Sequence, residues 1–216
     1  MRRALPDLVV EASDGTRFHV HTDTLTQSSN NSFDGLLPST HGSLTLSESP
    51  EVLDIALHIL YEKAFSAPLP RLNILEDALE ALVKYGAHLP ILAAPPLPLY
   101  ALLLQHAPSS QIETYALAAH YDLEDAAVAI SAHLLAYDIT ELSDELSLKM
   151  GPIYMMRLVE LQQLRLSALK AIVLTPPVSH LATATCGSGP ELSQAWALAA
   201  IPLIWEARPS ECRIQR

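Results

Sequence analysis

Apolar and polar positions first alternate and then recur at helical spacing, an order that predicts a small sheet followed by many helices. Leu8-Val9-Val10 is an apolar run, Asp14-Gly15 supplies a turn, and Arg17-Phe18-His19-Val20-His21 alternates. This combination predicts a β-hairpin, because Asp-Gly tolerates the positive φ of tight turns. Phe18 and Val20 fall on one strand face, Arg17, His19 and His21 on the other. A helix-like run from Thr22 to Leu37 follows, with Thr22 or Asp23 as its cap and Leu25, Phe33, Leu36 and Leu37 as its apolar positions. Its middle, Gln27 to Ser32, is rich in Ser and Asn, whose side chains compete for backbone hydrogen bonds, so a break is expected there. Ser43 to Ser47 alternates and predicts one more strand.

Helices are expected from there on. Ser49-Pro50-Glu51 has a capping Ser, a first-turn Pro and an acid at the positive helix end, and predicts a helix from Pro50 to about Ala64. Val52, Leu53, Ala56, Leu57, Ile59 and Leu60 cover most of its circumference, so it should be buried. Asn73 is expected to cap a helix with Leu75, Ala78, Leu79, Leu82 and Tyr85 on one side and Gly86 as its stop. Pro90 to Leu104 reads as a broken core segment with a short helix over Leu97–His106. Further helices are expected over Gln111–His120 after a cap at Ser109-Ser110, over Leu123–Ala136 after Asp122, from Thr140 to Met150, and from Ile153 to Leu174. In the last of these, Leu158, Leu161, Leu164, Ala168 and Ile172 are in register. An apolar run, Leu192 to Trp205, is broken by Pro202. Tyr85-Gly86 and Tyr121-Asp122 end two helices in the same way, a helical-hairpin rhythm rather than a repeat array.

Composition narrows the class. With 216 residues, 50% hydrophobic and 17% charged, the chain has enough apolar surface for a real core. The net charge of −11, with four lysines and nine arginines scattered, opposes nucleic-acid binding. No uncharged apolar run reaches membrane-spanning length, and no signal-peptide core follows Arg2-Arg3, so neither a membrane nor a secretory role is expected. Cys186 and Cys212 lack paired spacing and read as reduced intracellular thiols, in the cytoplasm or nucleus.

Candidate chemistry is sparse. His19 and His21 share a strand face at a spacing metals use, but no third ligand lies nearby, so they read as structural. The remaining histidines lack metalloprotease-type pairing, Gly187-Ser188-Gly189 lacks the spacing and lysine of a phosphate loop, and neither cysteine precedes a convincing base. Glu76-Asp77-Glu80 reads as a solvated helix face. No catalytic residue, cofactor or metal is therefore expected.

The stretch Asp7–Leu37 resembles the start of the BTB/POZ domain: an acid-led strand, an Asp-Gly turn, a strand ending at His21, then Leu25 and Phe33. The Leu44-Thr45-Leu46 strand, the Pro50 helix and the Leu75–Tyr85 helix follow in the family's order, and the whole is closest in pattern to fungal BTB-domain proteins with a helical extension. The resemblance implies an α+β fold, a BTB/POZ-like small sheet flanked by helices over residues 7–106, followed by an all-helical extension and a Cys/Trp-containing tail over 107–216. It also implies a non-catalytic protein–protein interaction module whose partners are proteins, among them a second copy of itself. Two other readings stand beside it: a substrate adaptor gripping a cullin scaffold, and a small-molecule enzyme with a dispersed site. The motif puts interaction residues at Asp7, His21, Leu25, Phe33 and Leu36. Thr22 stands where the family has a basic residue, and Ser29-Asn30-Asn31-Ser32 is polar where the family buries an aromatic. That polarity leaves two expectations, a weakened dimer or a self-contact through other surfaces, such as the apolar tail around Trp196, Leu198, Ile201 and Trp205.

Overall fold

A computed structural model describes residues 5–37, 42–65, 68–176 and 189–205. The chain is α+β and divides into two compact units, residues 1–130 and 131–216. Cys186, Cys212, His41 and His180 lie outside the described residues.

In the first unit, β1 (Leu8–Glu11) and β2 (Arg17–Val20) form the expected antiparallel hairpin, with Leu8 opposite Val20 and Glu11 opposite Arg17. Its turn places Gly15 at φ +87°, while Asp14 Oδ1 accepts the Thr16 backbone N–H at 2.8 Å. β3 (Ser43–Thr45) lies parallel to β1, giving the strand order β2-β1-β3. Leu8, Val10, Val20 and Leu44 face the core.

α1 (Thr22–Ser28) joins β2 to β3 and is shorter than the expected run to Leu37. Its cap is not Thr22 or Asp23. Asp7 Oδ1 accepts the Thr22 N–H at 2.8 Å, because the hairpin returns the chain beside the start of the first strand. Past Ser29 the chain turns left-handed through Ser32, Phe33 and Asp34 at φ +58°, +55° and +59°. Phe33, Leu36 and Leu37 therefore lie outside the first helix, and the expected break falls in the Ser/Asn stretch.

α2 (Pro50–Leu60) begins as expected, with the Ser49 hydroxyl accepting the Val52 N–H at 3.4 Å. It ends at Tyr61, short of Ala64. Ile55 is buried and Leu57 only half-buried, the reverse of the expected core positions. α3 (Leu72–Lys84) starts one residue before Asn73, with Arg71 at its N-cap and no side-chain cap. Its C-terminus is a Schellman stop: Gly86 sits at φ +75° and Ala87 N–H reaches the Leu82 carbonyl at 2.8 Å. α4 (Leu89–Leu92) and α5 (Pro98–His106) occupy the proline-rich segment.

α6 (Gln111–His120) has the expected bounds, though its N-cap Ser110 makes no side-chain cap bond. It is buried on nearly all sides, so even Thr114 is enclosed and gives its hydroxyl to the Ser110 carbonyl at 2.6 Å. Its end repeats the α3 stop: Asp122 sits at φ +54°, and Leu123 N–H reaches the Ala118 carbonyl at 2.9 Å. Asp122 thus closes α6, and α7 (Glu124–Ser131) begins two residues later.

The second unit opens with 3-10 turns at Ala132–Ala136 and Ile139–Glu141. The Asp138 side chain caps the second turn, so Thr140 does not start a helix. α8 (Asp144–Val173) starts at Ser143, whose hydroxyl accepts the Leu146 N–H at 3.3 Å. It kinks where Gly151 adopts φ +71° and ψ +171° ahead of Pro152. Gln162 Nε2 ties α8 to the first 3-10 turn by donating to the Leu134 carbonyl at 2.6 Å. α9 (Gly189–Trp205) runs through Pro202 instead of breaking there.

Candidate functional site

Two surfaces and one side-chain cluster hold the chemistry of the described residues. The first surface is a groove of about 800 Å3 between β2 and the C-terminal half of α2. Tyr61, at the C-terminal cap of α2, lines it. Its hydroxyl accepts the His21 backbone N–H at 2.6 Å and lies 3.0 Å from His21 Nδ1. His19, Leu57, His58 and Lys63 also line the groove. His58 is held by its own helix, with Nδ1 2.8 Å from the Asp54 carbonyl and 3.4 Å from Asp54 Oδ1, and its ring stacks on Phe65 at 5.1 Å.

The side-chain cluster joins the segment between β3 and α2, the end of α3 and the polar stretch after α1. Lys84 Nζ donates to Glu48 Oε1 at 2.6 Å, and the Tyr85 hydroxyl donates to Glu48 Oε2. Burial alone would raise the Glu48 carboxyl, but the hydrogen bonds from Lys84 and Tyr85 and the Lys84 charge outweigh it and hold the group below 4.5. Burial also pushes the Tyr85 hydroxyl upward, reinforced by its bond to Glu48, so it serves as a donor and stays neutral. On the other side, the Ser29 hydroxyl donates to the Tyr85 carbonyl at 2.7 Å, and Asn31 Nδ2 donates to the Lys84 carbonyl at 2.9 Å. Asn30 N–H reaches the Gly86 carbonyl at 2.9 Å. The Ser/Asn stretch thus satisfies carbonyls left unpaired at the end of α3, a need that every helix C-terminus has. The cluster is a clasp between elements, built from groups that already satisfy one another.

The second surface belongs to the second unit. α8 buries Met150, Tyr154, Leu158 and Val173, but leaves Ile153, Met156 and Leu164 exposed at 66%, 57% and 69%. Their helical spacing puts these three on one side of α8. Ile172, in register with Leu158 and Leu164 by periodicity, is 70% exposed. On α9, Leu198 and Ile201 are exposed at 65% and 62%, and Ala200 is enclosed.

The residues singled out in the sequence are dispersed. Asp7 is exposed and caps α1. Hydrogen bonding from Thr22 N–H, foremost, holds its carboxyl below the usual value. His21 is half-buried against Tyr61. Leu25 is fully enclosed and Phe33 nearly so, which leaves neither side chain open to solvent; Leu36 is half-buried. Trp196 is partly exposed, and its indole N–H donates to the Val173 carbonyl at 2.9 Å, pinning α9 to the end of α8. The side chain of Trp205 lies outside the described residues. Sequence reading missed Tyr61 and Glu48, whose partners lie 40 and 37 residues away and leave no local signal. Among the described residues, no group of three or more His, Cys, Asp or Glu is placed to hold a metal ion, and no helix is long and apolar enough to cross a membrane. In comparisons with known proteins, no family model, curated protein or solved structure matches the chain.

Proposed function

We propose that the chain is a non-catalytic protein-interaction protein, with a BTB/POZ-like first unit and a second unit through which copies of the chain associate. The observation that carries this reading is the set of large apolar side chains exposed on α8 and α9, including Ile153, Leu164 and Leu198. Large apolar side chains held in water on a helix are a docking surface or an aggregation liability, and a partner that covers them removes that exposure. A second copy is present wherever the chain is present, and isologous pairing needs only one self-complementary patch. The succession of hairpin, α1, parallel β3 and the packed α2–α3 pair supports the BTB/POZ-like reading of the first unit. The polar stretch after α1 departs from the family, and its Ser29, Asn30 and Asn31 are engaged within their own unit, which leaves self-association to another surface. Sedimentation velocity across a concentration series tests the reading. A mass that rises toward a dimer supports it, and a monomer at every concentration contradicts it.

A further inference from the structure

β2 is an edge strand, since β1 lies on one side of it and no strand lies on the other among the described residues. The carbonyls of Thr16 and Val20 point to β1, where they accept from Ala12 and Asp7 N–H at 2.8 and 3.2 Å. Successive residues of a strand direct their backbone groups to opposite sides. The N–H and C=O of His19 therefore point to the open edge, as does the His21 N–H, which Tyr61 has claimed. The groove beside β2 is bounded by four consecutive residues, Phe18, His19, Val20 and His21. A groove over a sheet face would meet every second residue, so this one runs along the strand edge.

Its charge is unlike that of the rest of the chain. Against 24 acids and 13 Lys and Arg overall, the groove carries one of each, Asp54 and Lys63, together with three histidines. That acid lies 3.4 Å from His58 Nδ1. Phe18 and Leu57 add apolar contact at its walls. We propose that this groove binds an extended acidic peptide segment of a partner protein, which pairs its backbone with His19 as an added strand and sets its carboxylates against Lys63 and the histidines. Strand addition draws affinity from main-chain hydrogen bonds and specificity from alternate side chains, and an open edge beside a groove supplies both. This inference goes beyond the association proposed for the second unit and is separable from it.

The probe is a fluorescein-labelled octapeptide alternating glutamate and valine, compared by fluorescence anisotropy with its lysine–valine counterpart on the full chain. The glutamate peptide is expected to bind and the lysine peptide to bind about tenfold more weakly or not at all. His19→Pro removes the outward N–H at an edge position where proline is tolerated, and should abolish binding. Lys63→Glu, at an exposed side chain, should weaken it about tenfold and keeps the test decisive if His19→Pro does not fold. Leu164→Glu in the second unit should leave it unchanged. Equal binding of both peptides, binding of neither at about 1 mM, or full affinity in Lys63→Glu overturns the proposal. A wild-type dimer that His19→Pro dissociates, without peptide binding, assigns the edge to a second copy and overturns it as well.

Discussion

Phe33 and Tyr85 stack with ring centroids 4.4 Å apart and planes 5° from parallel. Neither is held by that contact alone. Phe33 N–H donates to the Ser29 hydroxyl at 2.7 Å, and the same hydroxyl donates to the Tyr85 carbonyl. The Tyr85 phenol is fixed in turn by Glu48. A single aromatic pair thus locks the turn after α1 onto the end of α3, and through Glu48 onto the segment that leads into α2.

Gly86 is the narrowest point of this clasp. It adopts φ +75°, and a Cβ there would meet the side-chain amides of Asn30 and Asn31. Gly86→Ala should destabilise the chain by about 1–3 kcal/mol through backbone strain and displacement of those amides. Urea denaturation followed by circular dichroism measures this, and an unchanged midpoint would show that the clasp does not bear on stability.

Tyr85→Phe keeps the stack on Phe33 and removes the bond to Glu48. Losing a hydrogen bond to a charged group should cost about 1.5–3 kcal/mol. The pH dependence has a definite sign. The folded carboxyl of Glu48 titrates below its usual 4.5, so its stabilisation is present above that pH and is lost as pH falls through the folded value. The gap between wild type and Glu48→Gln should therefore narrow on acidification. A gap that is constant with pH contradicts the ionic assignment.

His106 is 5% exposed, its Nε2 has no hydrogen-bond partner, and burial depresses its pKa below 6.5. A base whose folded pKa is lowered takes up protons more readily when unfolded, so its stability contribution is complete above pH 6.5 and declines as pH falls below it. His106→Leu should flatten the stability profile between about pH 7 and about pH 5. A wild-type profile already flat across that window would contradict the burial argument.

Ile59 is 1% exposed on α2, whereas Leu57 faces the groove beside β2. Ile59→Ala should cost about 2–5 kcal/mol, and Leu57→Ala less than half of that. Equal losses in thermal or urea unfolding would place Leu57 in the core.

Much of the fold is legible in local residue patterns. Asp14-Gly15 marks its turn, Ser49-Pro50 marks the start of α2, and the paired stops at Tyr85-Gly86 and Tyr121-Asp122 have the same left-handed geometry. What is not legible depends on distant partners. Ser29 and Asn31 read only as poor helix material, because the carbonyls they satisfy lie 56 and 53 residues on. On α2, apolar residues surround the axis, so periodicity does not say which side meets the groove, and Ile55 and Leu57 exchange roles. On α8, regular apolar spacing marks a stripe, and the same regularity suits a core face and an uncovered one. The groove was invisible for a related reason: His19 and His21 come from β2, but His58, Tyr61 and Lys63 arrive with α2.

The central claim is that copies of the chain meet through the apolar side of the second unit. Light scattering after size exclusion, on wild type and on the Leu164→Glu/Leu198→Glu double variant at matched concentrations, tests it most directly. Both residues are exposed, so the substitutions leave the core intact. The account predicts a wild-type dimer and a folded, monomeric double variant. A monomeric wild type, or a dimer that the double variant retains, would contradict it.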